Sequence, residues 1–260
     1  MRSLTCWLAL LLGLALTAAA QKPRASVAQS PKPMSVAQAR PQFRPAVLGT
    51  GPDSLVNRIN VDDLLSKGQK SGAIQFCAVV APTGEATSAW TYHSMPNCEA
   101  LNAEVEKRLD GVKFTPPIYN HQPVGVYLFG TVVFTADVKP HLHIFLNQDP
   151  RELKDGHDFI APQPVMGADS KFTGLHFPPE IPVAVTGLAE IALRIDAKGT
   201  LQDMQVTGED PPLLGFRDAA LNDLAAAKFI PAFRSGDPSD SESILSFCYK
   251  AVVMEGGEGE

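Results

Sequence analysis

The sequence predicts an α+β fold made of two tandem β-β-α-β units, each a three-stranded antiparallel sheet with a helix on one face. Three observations predict it. Ala189, Ile191, Leu193 and Ile195 alternate with Glu190, Ala192, Arg194 and Asp196, the period of two that a strand with one buried face produces. Phe216, Ala220, Leu221, Leu224 and Ala227 recur at three- and four-residue spacing, which gathers them into one helical stripe. Gly72, Gly84, Pro96, Leu109, Lys113, Phe114, Pro116 and Pro123 return as Gly187, Gly199, Pro211, Leu224, Lys228, Phe229, Pro231 and Pro238, each 115 residues on without a gap. Strand entries, turns and helix exits restrict the residue that fits them, so this common register implies a duplicated unit.

Within the second unit, Gly199 supplies a hairpin turn and residues 201–207 return along the first strand, with Met204 and Val206 on the apolar face. The helix is expected over residues 216–228, ended by Pro231, before a last alternating run of Leu245, Phe247, Tyr249, Ala251 and Val253. The first unit repeats the plan. Ile74, Phe76, Ala78 and Val80 face inward, Gly84 turns the chain, and a helix carries Leu101, Val105 and Leu109 with Gly111 as its cap. A helix crossing between the second and third strands of an all-antiparallel sheet places the third strand beside the first. The expected order is therefore second, first, third, with the two units related by a pseudo-twofold. Tyr127, Phe129 and Val133 make the first unit's third strand, residues 124–136, apolar on its second face too, so it should be covered on both faces near the middle of the molecule.

The chain begins with Arg2, an apolar stretch from Cys6 to Leu16, and Ala18, Ala19 and Ala20 before a polar, proline-containing segment. Residues 1–20 thus read as a secretory signal peptide cleaved after Ala20, too short in apolar length to span a membrane. Residues 21–56 carry many prolines and five bases against one acid, a net +4 within a chain of −6, and are expected to form a disordered, solvated arm with at most weak attraction for anionic membrane surfaces. The first unit spans 57–136, opened by a short helix with Asn60 as N-cap. The linker, 137–174, holds a strand at 141–148, a helical turn capped by Asp149 with Pro150 at its first position, and an extended Ile160 to Pro164. The second unit spans 175–254, and the acidic tail, 255–260, has nothing to bury.

No nucleophile elbow, phosphate loop or paired-carboxylate pattern occurs, so no catalytic residue and no cofactor is expected. One alternative is a metal-binding protein or enzyme that uses the linker histidines His141 and His143, with His157 and Asp158 as further ligands. Cys77, Cys98 and Cys248 remain after processing, and a Cys77–Cys98 bridge is one arrangement an exported chain permits.

The motif Gly187, Ile195-Asp196 with Gly199, Ala219-Ala220-Leu221, Lys228-Phe229-Ile230-Pro231-Ala232, and Gly236 with Pro238 resembles the C-terminal domain of the TonB energy-transducer family over residues 177–249. Over 62–134 the likeness is thinner, keeping Gly72, Gly84, Lys113-Phe114, Pro116 and Pro123. The resemblance implies a periplasmic module of a Gram-negative envelope, linked to TonB-dependent transport, whose last strand pairs with a short peptide of a partner. Two features depart from the family. Its membrane-anchor helix is replaced by the signal sequence, and the proline spacer here reaches only ~100 Å if fully extended.

The function expected is therefore a non-catalytic binding or assembly module that takes an envelope protein or peptide by strand addition, with no nucleic acid and no small-molecule substrate. The first unit's third strand has no charge between Val124 and Ala136 and should be covered within the molecule. The second unit's third strand is interrupted by Ser243, Ser246 and Lys250. Ile244, Leu245, Ser246, Phe247, Cys248, Tyr249 and Lys250 are the expected partner-binding strand.

Overall fold

The computed structural model describes residues 40–167, 169–179 and 185–250. The expected signal peptide, most of the basic arm and the acidic tail lie outside the described residues. The fold is α+β, built from antiparallel pairings throughout.

The first unit has strands Gly72–Val80, Ala86–Ser94 and Gly125–Thr135 with the helix Glu99–Leu109, and the second has strands Gly187–Ile195, Leu201–Asp210 and Ser241–Tyr249 with the helix Phe216–Leu224. In each the order is second, first, third, as the topology requires. The register repeats as closely as the sequence does. Gly72 faces Phe134 as Gly187 faces Tyr249, and the irregularities at Gln75/Phe76 and Val79/Val80 return at Glu190/Ile191 and Arg194/Ile195. A β-bulge re-aims its strand, so its recurrence at the same offset preserves the curvature of both sheets.

The paired glycines have a common cause. Gly84 and Gly199 stand at φ 88° and 78° in the hairpin turns. A Cβ there would lie 2.3 Å from the Phe114 carbonyl oxygen and 1.9 Å from that of Phe229. Phe114 N–H donates to Gly84 O at 2.7 Å and Phe229 N–H to Gly199 O at 3.0 Å. The Lys-Phe dipeptide after each helix is thus tied to the hairpin by backbone that only glycine lets so close. The same tie corrects the expected end of the second helix. It stops at Leu224 rather than Lys228, because Lys228 bridges to Thr200 and Phe229 is held at the turn.

Each unit also begins earlier than its periodicity indicates. Phe43–Arg44 pairs with Ile118–Tyr119, and Phe159–Ile160 pairs with Phe233 and Arg234 in the matching place. Leu48 bridges to Phe114 as Pro164 pairs with Phe229. Residues 43–48 and 159–164 are therefore equivalent at an offset of 116. The arm expected to be disordered to Val56 is ordered from 40 onward, with Ala46 and Leu55 fully buried, since its backbone groups find partners in the sheet. The short helices follow their caps. Asn60 accepts from Asp63 N–H at 3.0 Å, and Asp149 from Arg151 N–H at 2.8 Å.

Two cores result. The first lies between the first sheet and its helix, with Ile74, Phe76, Leu101, Val105 and Phe134. The second fills the second unit and extends onto the back of the first sheet, where Cys77 and Tyr127 are buried with Val79, Trp90 and Phe129 beside them. The expected cover on the second face of the strand Gly125–Thr135 is thus supplied by the second unit.

The expected pseudo-twofold is not kept in the contacts. Gln163–Met166, from the start of the second unit, adds to the first unit's third strand at Gly125 and Val126. No strand among the described residues makes the reciprocal addition to Ser241–Tyr249.

A candidate partner-binding edge

The strand Ser241–Tyr249 pairs along its whole length with Gly187–Ile195 and with no other strand among the described residues. In an antiparallel ladder, alternate residues point their N–H and C=O groups toward the partner and the others point them outward. Cys248 N–H donates outward to the Tyr127 hydroxyl at 2.9 Å, and Glu242 O accepts from Arg151 Nη2 at 3.3 Å. The even-numbered residues therefore face out. Between these two contacts the backbone groups of Ile244 and Ser246 have no hydrogen-bond partner among the described residues.

The seven expected residues divide by side chain. Leu245, Phe247 and Tyr249 are buried in the second core, with the Phe216 and Tyr249 ring centroids 5.2 Å apart. They hold the strand rather than meet a partner. Ile244 is 44% exposed on the opposite face, paired with Ala192, and Glu242 before it shares a polar patch with Arg194, Asp203 and Gln205. Ser246 is half-buried near Tyr92, whose pKa is raised chiefly by burial. Lys250 is exposed, 4.0 Å from Glu106 of the first unit's helix.

Cys248 belongs to the junction of the two units. Tyr127 stacks on Phe247 with centroids 5.5 Å apart and is wholly buried, which pushes its hydroxyl pKa well up and keeps it a neutral acceptor for Cys248 N–H. Trp90 Nε1 donates to Cys248 Sγ at 3.2 Å. The expected edge of 244–250 is thereby closed at its end. The open part runs from Ile244 to Ser246, so it starts where the sequence placed it and ends earlier. Just before that start the Ser241 and Ser243 hydroxyls are buried without hydrogen-bond partners, which weakens the local hold on the strand.

The two closing contacts come from residues the sequence did not single out. Arg151 sits on the helical turn Pro150–Lys154, fixed by two bonds to Asp149 at 3.2 and 2.9 Å; its guanidinium lowers the Asp149 pKa. Next to it, Glu152 is held by Arg234 at 2.6 and 2.7 Å and by His157 at 2.7 Å, and its pKa is lowered to about 2, with Arg234 the larger cause.

The linker histidines do not form a ligand set. His141 and His143 lie together, with ring centroids 4.9 Å apart, while His157 is engaged by Glu152. Among the described residues no three His, Cys, Asp or Glu side chains converge. The expected Cys77–Cys98 bridge is not formed. Cys98 packs on the helix side of the first sheet, where a Cβ on Gly72 would lie 2.2 Å from its sulfur, and Cys77 is on the other face.

No protein-family model, curated protein or solved structure matches this chain.

Proposed function

We propose that the protein is a non-catalytic binding or assembly module of the cell envelope, exported to the periplasm, that takes an extended segment of an envelope protein by strand addition at residues 244–246. The reading extends the resemblance to the TonB C-terminal domain, and a link to TonB-dependent transport belongs to it. One observation carries it: among the described residues the outward N–H and C=O groups of Ile244 and Ser246 are unpartnered, on a strand whose other edge is paired throughout. A rigid strand with a free edge is a template, and main-chain hydrogen bonds give such sites affinity without a deep pocket. The polar Glu242, Arg194 and Asp203 around it keep the free edge soluble until it is used.

The test is Ile244→Pro. The substitution removes an outward donor and leaves the ladder to Gly187–Ile195 intact, because proline is tolerated where the N–H faces solvent. The variant is expected to keep its circular dichroism spectrum and to lose the protein that the parent captures from native envelope. Undiminished capture by a folded variant overturns the reading.

A further inference from the structure

Cys77 and Cys248 lie 171 residues apart in sequence, on the first strand of one unit and the last strand of the other. Both are completely buried. Their thiols meet at Trp90 in the core that joins the two units. The surrounding groups hold both in place. Trp90 Nε1 donates to Cys248 Sγ at 3.2 Å, Cys77 Sγ–H lies 3.9 Å from the Trp90 carbonyl oxygen, and the Cys248 N–H is fixed by Tyr127 at 2.9 Å. Burial raises the Cys77 thiol pKa, whereas the neighbouring Cys77 thiol and then the Trp90 N–H lower that of Cys248. Cys98 is buried in the other core, so among the described residues Cys77 and Cys248 are the pair left together.

We propose that Cys77 and Cys248 are a disulfide site that locks the second unit onto the back of the first. The oxidant is a thiol–disulfide exchange partner, a disulfide-carrying oxidase or oxidised glutathione. One protein thiolate attacks the oxidant's disulfide and releases one thiol. The second thiolate then attacks the mixed disulfide and releases the other, so two protein thiols become one disulfide and the oxidant's disulfide becomes two thiols. Because both sulfurs are inaccessible once the units have joined, the exchange takes place while they close.

The proposal is independent of the edge reading, because it concerns the junction beside Tyr127 and not the open backbone at Ile244. Its consequence is stability: closing a loop of this length constrains the unfolded chain, and the oxidised protein should have a folding constant on the order of a thousand-fold above the reduced one.

The experiment refolds the reduced, denatured chain in a glutathione redox buffer, alkylates free thiols in denaturant and maps the peptides by mass spectrometry. Expected are the Cys77 and Cys248 peptides joined, the Cys98 peptide alkylated, and the same map for Cys98→Ala. Alkylation of both Cys77 and Cys248, or a bond from either to Cys98, overturns the proposal. Guanidinium unfolding of the oxidised chain with and without reductant supplies the second readout, and a bond that forms without raising the midpoint overturns the locking role. Neither measurement depends on the folding of a Cys77 or Cys248 variant.

Discussion

The third strands of the two units, Gly125–Thr135 and Ser241–Tyr249, meet their first strands in the same register, yet their outer edges differ. That of Gly125–Thr135 is filled from end to end. Gln163–Met166 pairs at Gly125 and Val126, Asn147 bonds Phe129 through backbone and side chain at 2.9 and 3.3 Å, and His141–Leu146 pairs from Gly130 to Thr135. Among the described residues the outer backbone edge of Ser241–Tyr249 is bonded only by the side chains of Arg151 and Tyr127. The back faces differ in the same sense. Tyr127 and Phe129 are apolar, whereas Glu242, Ile244 and Ser246 leave a mixed surface. The duplicated framework sets the inner pairing of both strands, and the residues free to vary around it decide which edge is closed. An edge between two apolar faces is an aggregation hazard and is covered; one beside polar residues can stay in water.

A proline on each strand separates the two cases most sharply. Val132 lies between Ile74 and Ile144 in a doubly paired ladder and is completely buried. Val132→Pro should cost about 3 kcal/mol or more from the lost ladder bond and core contact, read as a lower denaturant midpoint. Ile244→Pro should shift that midpoint little. Equal losses at the two positions would mean that the second edge is also paired.

Removing the closing contacts gives smaller effects. Tyr127→Phe deletes the hydroxyl that satisfies Cys248 N–H and should cost about 1–3 kcal/mol, with faster hydrogen exchange at Cys248. Unchanged exchange there would place the protection elsewhere. Arg151→Ala releases the Glu242 carbonyl and removes the guanidinium's two bonds to Asp149, whose carboxylate keeps the Arg151 N–H, with an expected loss of about 1 kcal/mol. It should lengthen the open edge, so partner capture is expected to rise or hold.

The smallest effect is one of pH. The folded pKa of Glu152 is lowered from 4.5 to about 2. Its contribution is therefore present above the ordinary carboxylate value and fades as pH falls from about 4.5 toward 2. Wild type and Glu152→Gln should differ in unfolding midpoint at pH 6 and converge near pH 2. A difference that persists at the acid end removes the Glu152–Arg234 pair as its source.

Much of the framework was legible in the sequence. Gly84, Gly199 and the Lys-Phe dipeptides occupy positions where backbone approach leaves no other choice, so they recur and can be matched. The outer segments were not. Phe43–Arg44 and Phe159–Ile160 are two-residue strands among prolines, too short to show a period, and they repeat at an offset one residue longer than the core. The open edge was legible as a strand and in its start, but not in its end. Its limits depend on Tyr127 and Arg151, side chains 121 and 91 residues away from their partners in sequence, and no local pattern marks such a contact. The parity of Cys77 showed that it faces away from the first helix, but nothing in the sequence placed Cys248 opposite it.

Gln163 gives the junction a mechanical character. Its buried side-chain amide accepts from Ala46 N–H and donates to Ala46 O, both at 2.8 Å, standing in for a peptide group between equivalent segments of the two units. The chain arriving from the N-terminal side is thus moored twice within a few residues, to Ile118 and Tyr119 of the first unit and through Gln163 to the second. Tension along that tether is divided between the units at the point of entry. Gln163 itself lies on a strand that pairs with Gly125 and Val126 of the first unit and with Phe229 and Ile230 of the second, so the load meets both at once.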